Sequence, residues 1–116
     1  MYNKIKSLRN NPEKAREYFI EHLAFTMGPV ELKNLIDEDN AVILDVRRSA
    51  DYEVSHINGA LSIPKDELAD NISKLDKNSV TVVYSYNSHC HLAFEASLIL
   101  ADYGYPCVVL SGGFKP

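Results

Sequence analysis

The sequence predicts a single α/β domain: a mainly parallel sheet with helices on both faces. Ala41–Val46 is apolar apart from Asp45, as expected of a strand covered on both sides, and Ser79–Tyr84 is a second strand rich in β-branched residues. Around these runs the apolar residues fall at helical spacing, so strands alternate with helices, the order that crossovers close into a parallel sheet. A chain of 116 residues closes one sizeable core, not two.

Along the chain, Lys4, Lys6 and Arg9 are interleaved with Asn and Ser and read as a solvated terminus. The first predicted helix has Asn11 as cap, Pro12 at its first position and Glu13 at the positive end of its dipole. Ala15, Phe19, Leu23 and Thr26 give it one stripe, and Gly28 ends it. Pro29 starts a second helix carrying Val30, Leu32, Leu35 and Ile36, and Asp37–Asn40 is a polar turn before the first strand. Ser49 is the expected cap of a short helix through Tyr52 and Val54. His56–Ala60 is a turn, Leu61–Ile63 a short strand, and Pro64 opens an uneven helical stretch to Leu75. After the strand Ser79–Tyr84, the residues Leu92, Ala96, Ile99, Leu100 and Tyr103 predict a helix over 91–103, with Gly104 as its C′ residue. Pro106–Leu110 is the last short strand, followed by Ser111-Gly112-Gly113.

Bulk properties narrow the function. A net charge of −4, with no dense basic surface, argues against nucleic acid as a partner. No apolar run approaches bilayer length and the first residues lack a signal-peptide core, so no membrane role and a cytoplasmic location are expected. In that compartment Cys90 and Cys107 are expected to be free thiols.

The candidate site follows from topology. In open α/β sheets ligands bind at the carboxyl ends of strands, and Ser85–His91 links such an end to the next helix. Backbone N–H groups gathered at a helix N-terminus favour an anion and lower the pKa of a thiol held among them, although many such loops bind only water.

Four stretches, in this order and spacing, resemble the rhodanese-like family. They are Leu44-Asp45-Val46-Arg47; Tyr52 followed by His56-Ile57-Asn58-Gly59-Ala60; Val82-Val83-Tyr84 running into the loop; and Gly104-Tyr105 leading to Leu110-Ser111-Gly112-Gly113-Phe114. The resemblance implies a five-stranded parallel sheet, a helical lead-in over 1–28 and a rhodanese-like domain over 29–116, with Pro116 near the domain's end. It also implies sulfurtransferase chemistry with no cofactor. A loop cysteine takes sulfane sulfur from thiosulfate or a persulfide and passes it to a thiophilic acceptor.

Active members of the family carry that cysteine where this chain has Ser85, and serine cannot form a persulfide. The arginine that closes the usual loop is also absent. The connection from Ser85 to Gly104 is about two residues longer than the common form and resembles a branch with a cysteine at each end of the loop, in which Cys90 matches the second. Three readings of Ser85 stay open: an engineered replacement of cysteine, a natural substitution in a binding-only homologue, or a loop residue that leaves the chemistry to Cys90. As it stands the chain is expected to be inactive or weakly active.

Tyr86, Asn87, Ser88, His89 and His91 are the expected binding residues of the loop, and Asp45 and Arg47 match family positions that brace it. Cys90 is either an activated thiol between two histidines or a small apolar core residue. Three consecutive residues, His89-Cys90-His91, cannot all face one ion without strain, so no metal is expected. His56 with Gly59 is expected to fix a turn, Arg48 to form a surface ion pair, and Cys107 to be buried. The rival to sulfur transfer is a non-catalytic module binding an anion or a protein through the same loop. A phosphatase-like activity ranks last, since no arginine falls in or just after the loop and a serine at position 85 cannot form the phosphocysteine.

Overall fold

The computed structural model describes residues 1–38, 41–87 and 90–114. Its elements run α1 (Tyr2–Arg9), α2 (Pro12–Phe25), β1 (Thr26–Met27), α3 (Pro29–Asp37), β2 (Ala41–Asp45), α4 (Ser49–Val54), β3 (Leu61–Ser62), α5 (Leu68–Asn71) between two single 3₁₀ turns, β4 (Val80–Tyr84), α6 (Leu92–Asp102) and β5 (Cys107–Leu110). The five strands form one sheet in the order β1-β5-β4-β2-β3, every neighbouring pair parallel. The expected fold class is therefore observed.

Both faces of the sheet are covered because the central strands are apolar at successive positions. Leu44 and Val83 point to one side, against Leu68 and the α6 residues Ala93, Ala96 and Leu100. Ile43, Val82 and Tyr84 point to the other, against Leu32 of α3, with Tyr52 of α4 packed at the margin. Each large aliphatic side chain so buried contributes on the order of 1.5–3 kcal/mol.

Several local expectations change. The residues before Asn10, read as a solvated terminus, form α1; it is solvated, since none of its residues is buried. The stripe through Thr26 does not continue the helix. At Thr26 the backbone turns extended, with φ −129° and ψ 156°, and Thr26–Met27 become the edge strand paired with Val109–Leu110. A strand of two residues has no periodicity to read, so only the family resemblance implied a fifth strand. Asn11 caps α2 as expected, accepting from the Lys14 amide at 3.2 Å. Ser49 does not cap α4: Arg48 holds the cap position and Ser49 is the first helical residue. The α6 helix starts one residue later than predicted, with His91 at its N-cap, and Gly104 follows its end at φ 82°. Of the polar turn Asp37–Asn40, Asp37 closes α3, while Asp39 and Asn40 lie outside the described residues.

Candidate functional site

Strand β4 delivers its last residue, Tyr84, and then Ser85 to the carboxyl edge of the sheet, both essentially without solvent exposure. The chain then crosses to α6, and the Cys90 amide donates to the Asn87 carbonyl at 3.2 Å. This fold-back brings the Cys90 sulfur to 3.3 Å from the Ser85 hydroxyl oxygen.

A second segment closes the site from the side. The Phe114 amide donates to the Ser85 carbonyl at 2.8 Å. Gly113 sits so close that a Cβ there would lie 2.8 Å from both the Ser85 oxygen and the Asn87 nitrogen, and its φ is +65°. Only glycine satisfies both conditions. The two loops enclose a pocket of about 190 Å³ whose lining includes Ser85, Asn87, Cys90, Phe94 and the turn Ser111–Gly113.

The thiol of Cys90 is held below its ordinary pKa. Burial is the largest influence and opposes ionisation, as does the nearby Glu95 carboxylate. The Ser85 hydroxyl and the backbone amides of Leu92 and Tyr86 stabilise the thiolate and outweigh them. Cys107 contrasts with it: on β5, its sulfur donates to the Ser97 carbonyl at 3.5 Å and burial pushes its thiol up. Both cysteines are free. Among the described residues no three His, Cys, Asp or Glu side chains gather closely enough to hold a metal ion.

Asp45 and Arg47 are 0% and 4% exposed and form a closed electrostatic unit beneath the loop. The Arg47 guanidinium donates to both Asp45 carboxylate oxygens, at 2.8 Å in the shortest contact, and to the Ser55 carbonyl at 2.7 Å. Tyr84 donates its hydroxyl to the same carboxylate at 2.7 Å; burial, then the Asp45 carboxylate, drives the Tyr84 pKa well above its ordinary value. The Asp45 side chain raises the pKa of the Arg47 guanidinium against the opposing effect of burial. Arg47 also lies over the rings of Phe114, at 4.3 Å, and Tyr86, at 5.7 Å. Through these two rings one buried cation touches both segments that build the pocket.

The other predicted residues are distributed around the loop. Asn87 lines the pocket. Tyr86 turns the other way, donating to the Asp51 carboxylate at 2.5 Å and accepting from the Arg48 amide at 3.4 Å. His91 is exposed at the N-cap of α6. Ser88 and His89 lie outside the described residues. Arg48 forms an exposed ion pair with Asp51. His56 stacks on Tyr52 at 3.7 Å and its Nδ1 meets the Tyr52 carbonyl at 2.8 Å, beside the positive-φ Gly59.

Among the pocket residues that sequence reasoning did not assign to the site are His22, Thr26 and Phe94, with the β5 end and the turn Ser111–Gly113. Phe94 follows the loop closely, so its helical position was the available signal. His22 and Thr26 reach the site only because β1 joins the sheet beside β5, which local pattern does not reveal.

Comparison with known proteins agrees with this architecture. The chain is 34% identical over 74 residues to the HTH-type transcriptional regulator Rv0324 of Mycobacterium tuberculosis, a match covering 64% of this chain and 33% of that protein. The chain therefore spans about a third of that regulator's length. It is 31% identical over 92 residues to the thiosulfate sulfurtransferase GlpE of Pseudomonas fluorescens, covering 78% of this chain and 83% of the relative. The solved BH2092 protein of Bacillus halodurans superposes with a TM-score of 0.81 at 27% identity, over 89% of this chain and 77% of that one. The family model of the rhodanese-like domain matches residues 28–116. The chain belongs to the rhodanese-like domain family.

Proposed function

We propose that this domain moves sulfane sulfur from thiosulfate or a persulfide to a thiophilic acceptor, with Cys90 as the carrier thiol. The observation that carries the reading is the 3.3 Å contact between Cys90 Sγ and the buried Ser85 hydroxyl, inside a pocket at the carboxyl end of β4. The similarity to a thiosulfate sulfurtransferase over most of both chains supports the same chemistry.

The reaction balances without a cofactor. The Cys90 thiolate attacks the outer sulfur of thiosulfate, a new S–S bond forms, the old one breaks, and sulfite leaves with its electron pair. The persulfide then gives its outer sulfur to the acceptor, thiocyanate forming if the acceptor is cyanide, and the thiolate returns. Ser85 donates its hydroxyl hydrogen to the thiolate and takes no covalent part, because an oxygen cannot hold the persulfide.

A second reading follows from the serine itself. With an oxygen at the strand-end position, the same loop serves as a non-catalytic module for an anion or a protein. Thiosulfate:cyanide assays separate the two. Thiocyanate formation by the chain, abolished in Cys90→Ala, supports transfer through Cys90. Turnover gained only in Ser85→Cys supports a binding module on an intact sulfur-transfer cradle. No turnover in either form removes the sulfurtransferase reading.

A further inference from the structure

Part of the pocket wall comes from outside the segment matched to the family. His22 and Thr26 both line the pocket, whereas the family match starts at residue 28. His22 lies in the last turn of α2, and Thr26 is the extended residue that ends the helix and opens β1. The Thr26 hydroxyl donates to the His22 carbonyl at 2.6 Å, and Thr26 pairs with Val109 of β5, itself a pocket residue, so the end of α2 is fixed against the sheet.

The chemistry of the wall singles out His22. Among the described lining residues there is no Lys, Arg, Asp or Glu, and His22 is the one with an ionisable nitrogen. The arginines nearest the loop in sequence are committed elsewhere: Arg47 to Asp45 and the Ser55 carbonyl, Arg48 to Asp51. An anion entering this pocket meets, on the described wall, no carboxylate and one imidazole-bearing residue, His22.

We infer that His22 is the anion-recognition residue of the pocket, its ring N–H donating to the oxyanion end of an inorganic sulfur donor such as thiosulfate while the outer sulfur faces Cys90. The choice of donor rests on the sulfur-transfer reading; the placement of His22 on the wall does not. A lead-in helix thereby sets donor preference for a loop that lacks its own arginine.

The test combines kinetics with a binding readout that needs no turnover. In thiosulfate:cyanide assays, His22→Ala is expected to raise KM about tenfold, the loss of one hydrogen bond to a charged group, and His22→Glu to raise it further. In both variants kcat stays within about twofold, and Lys14→Ala on the same helix changes neither constant. In parallel, thiosulfate is titrated into the isotope-labelled chain and the ring signals of His22, assigned by their loss in His22→Ala, are followed by NMR. Saturable shifts of those signals without any turnover support the inference and overturn sulfur transfer. Turnover with an unchanged KM in both variants and unmoved His22 signals overturns the inference and leaves sulfur transfer standing. Neither binding nor turnover overturns both.

Discussion

The Ser85 hydroxyl oxygen and the Cys90 sulfur lie 3.3 Å apart, although five positions separate them in the chain. The hydroxyl can hydrogen-bond the thiolate and so favours the ionised form that reacts. Ser85→Ala removes this donor, so the Cys90 thiol pKa rises and the curve of alkylation rate against pH moves to higher pH. At pH 7 iodoacetamide is expected to modify Cys90 several-fold more slowly in the variant, read by peptide mass spectrometry. Cys107, whose thiol burial pushes up, serves as the internal slow control.

Ser85→Cys places two sulfurs where an oxygen and a sulfur now touch. Small side-chain rotations bring them to the about 2.0 Å of a disulfide bond. Oxidation with diamide is therefore expected to remove two hydrogens from the variant's mass and block its alkylation, with dithiothreitol restoring both. The unaltered chain, treated alike, forms no such intramolecular bridge between these positions.

Gly113→Ala forces a methyl group to 2.8 Å from the Ser85 carbonyl oxygen and the Asn87 nitrogen, at a φ of +65°. The contacting atoms are backbone and cannot swing away. A loss of about 2–3 kcal/mol in urea unfolding is expected, together with altered reactivity of Cys90, since the displaced segment carries Ser85. Gly28→Ala, where an added Cβ meets nothing within 4 Å, is the matched control, with a much smaller cost.

Asp45→Asn leaves the Arg47 guanidinium, 4% exposed, without its counter-charge. Breaking one side of a buried pair costs about 3–5 kcal/mol, which denaturant unfolding measures directly. Arg47 also stacks on Tyr86 and Phe114, so the loop is expected to loosen before global unfolding. Faster amide hydrogen exchange at Tyr86 and Phe114 than in the β2–β4 core reads this out.

Much of the fold was legible because it rests on local chemistry. The strands β2 and β4 show in their β-branched, apolar runs, and α2 in its Asn11 cap and Pro12 start. The edges were harder to read. β1 is two residues long, and Thr26 leaves the helix because pairing with β5 satisfies its backbone better than another helical turn. Tyr86 was read as a pocket residue from its place in the loop. Its hydroxyl instead finds Asp51, a choice set by where α4 lies.

The sequence by itself determined that a parallel sheet would present Ser85–His91 at a strand end, since hydrophobic period and strand–helix alternation are local properties. It also determined the chemistry on offer there: two serine hydroxyls, a phenol, two imidazoles, one thiol and no arginine. Only the tertiary structure decided what these groups touch. The fold-back of the loop joins Ser85 to Cys90, Gly113 wedges against the Ser85 backbone, and the β1–β5 pairing carries His22 to the pocket wall. Contacts of this kind depend on how elements distant in sequence pack together, and no window of sequence records that distance.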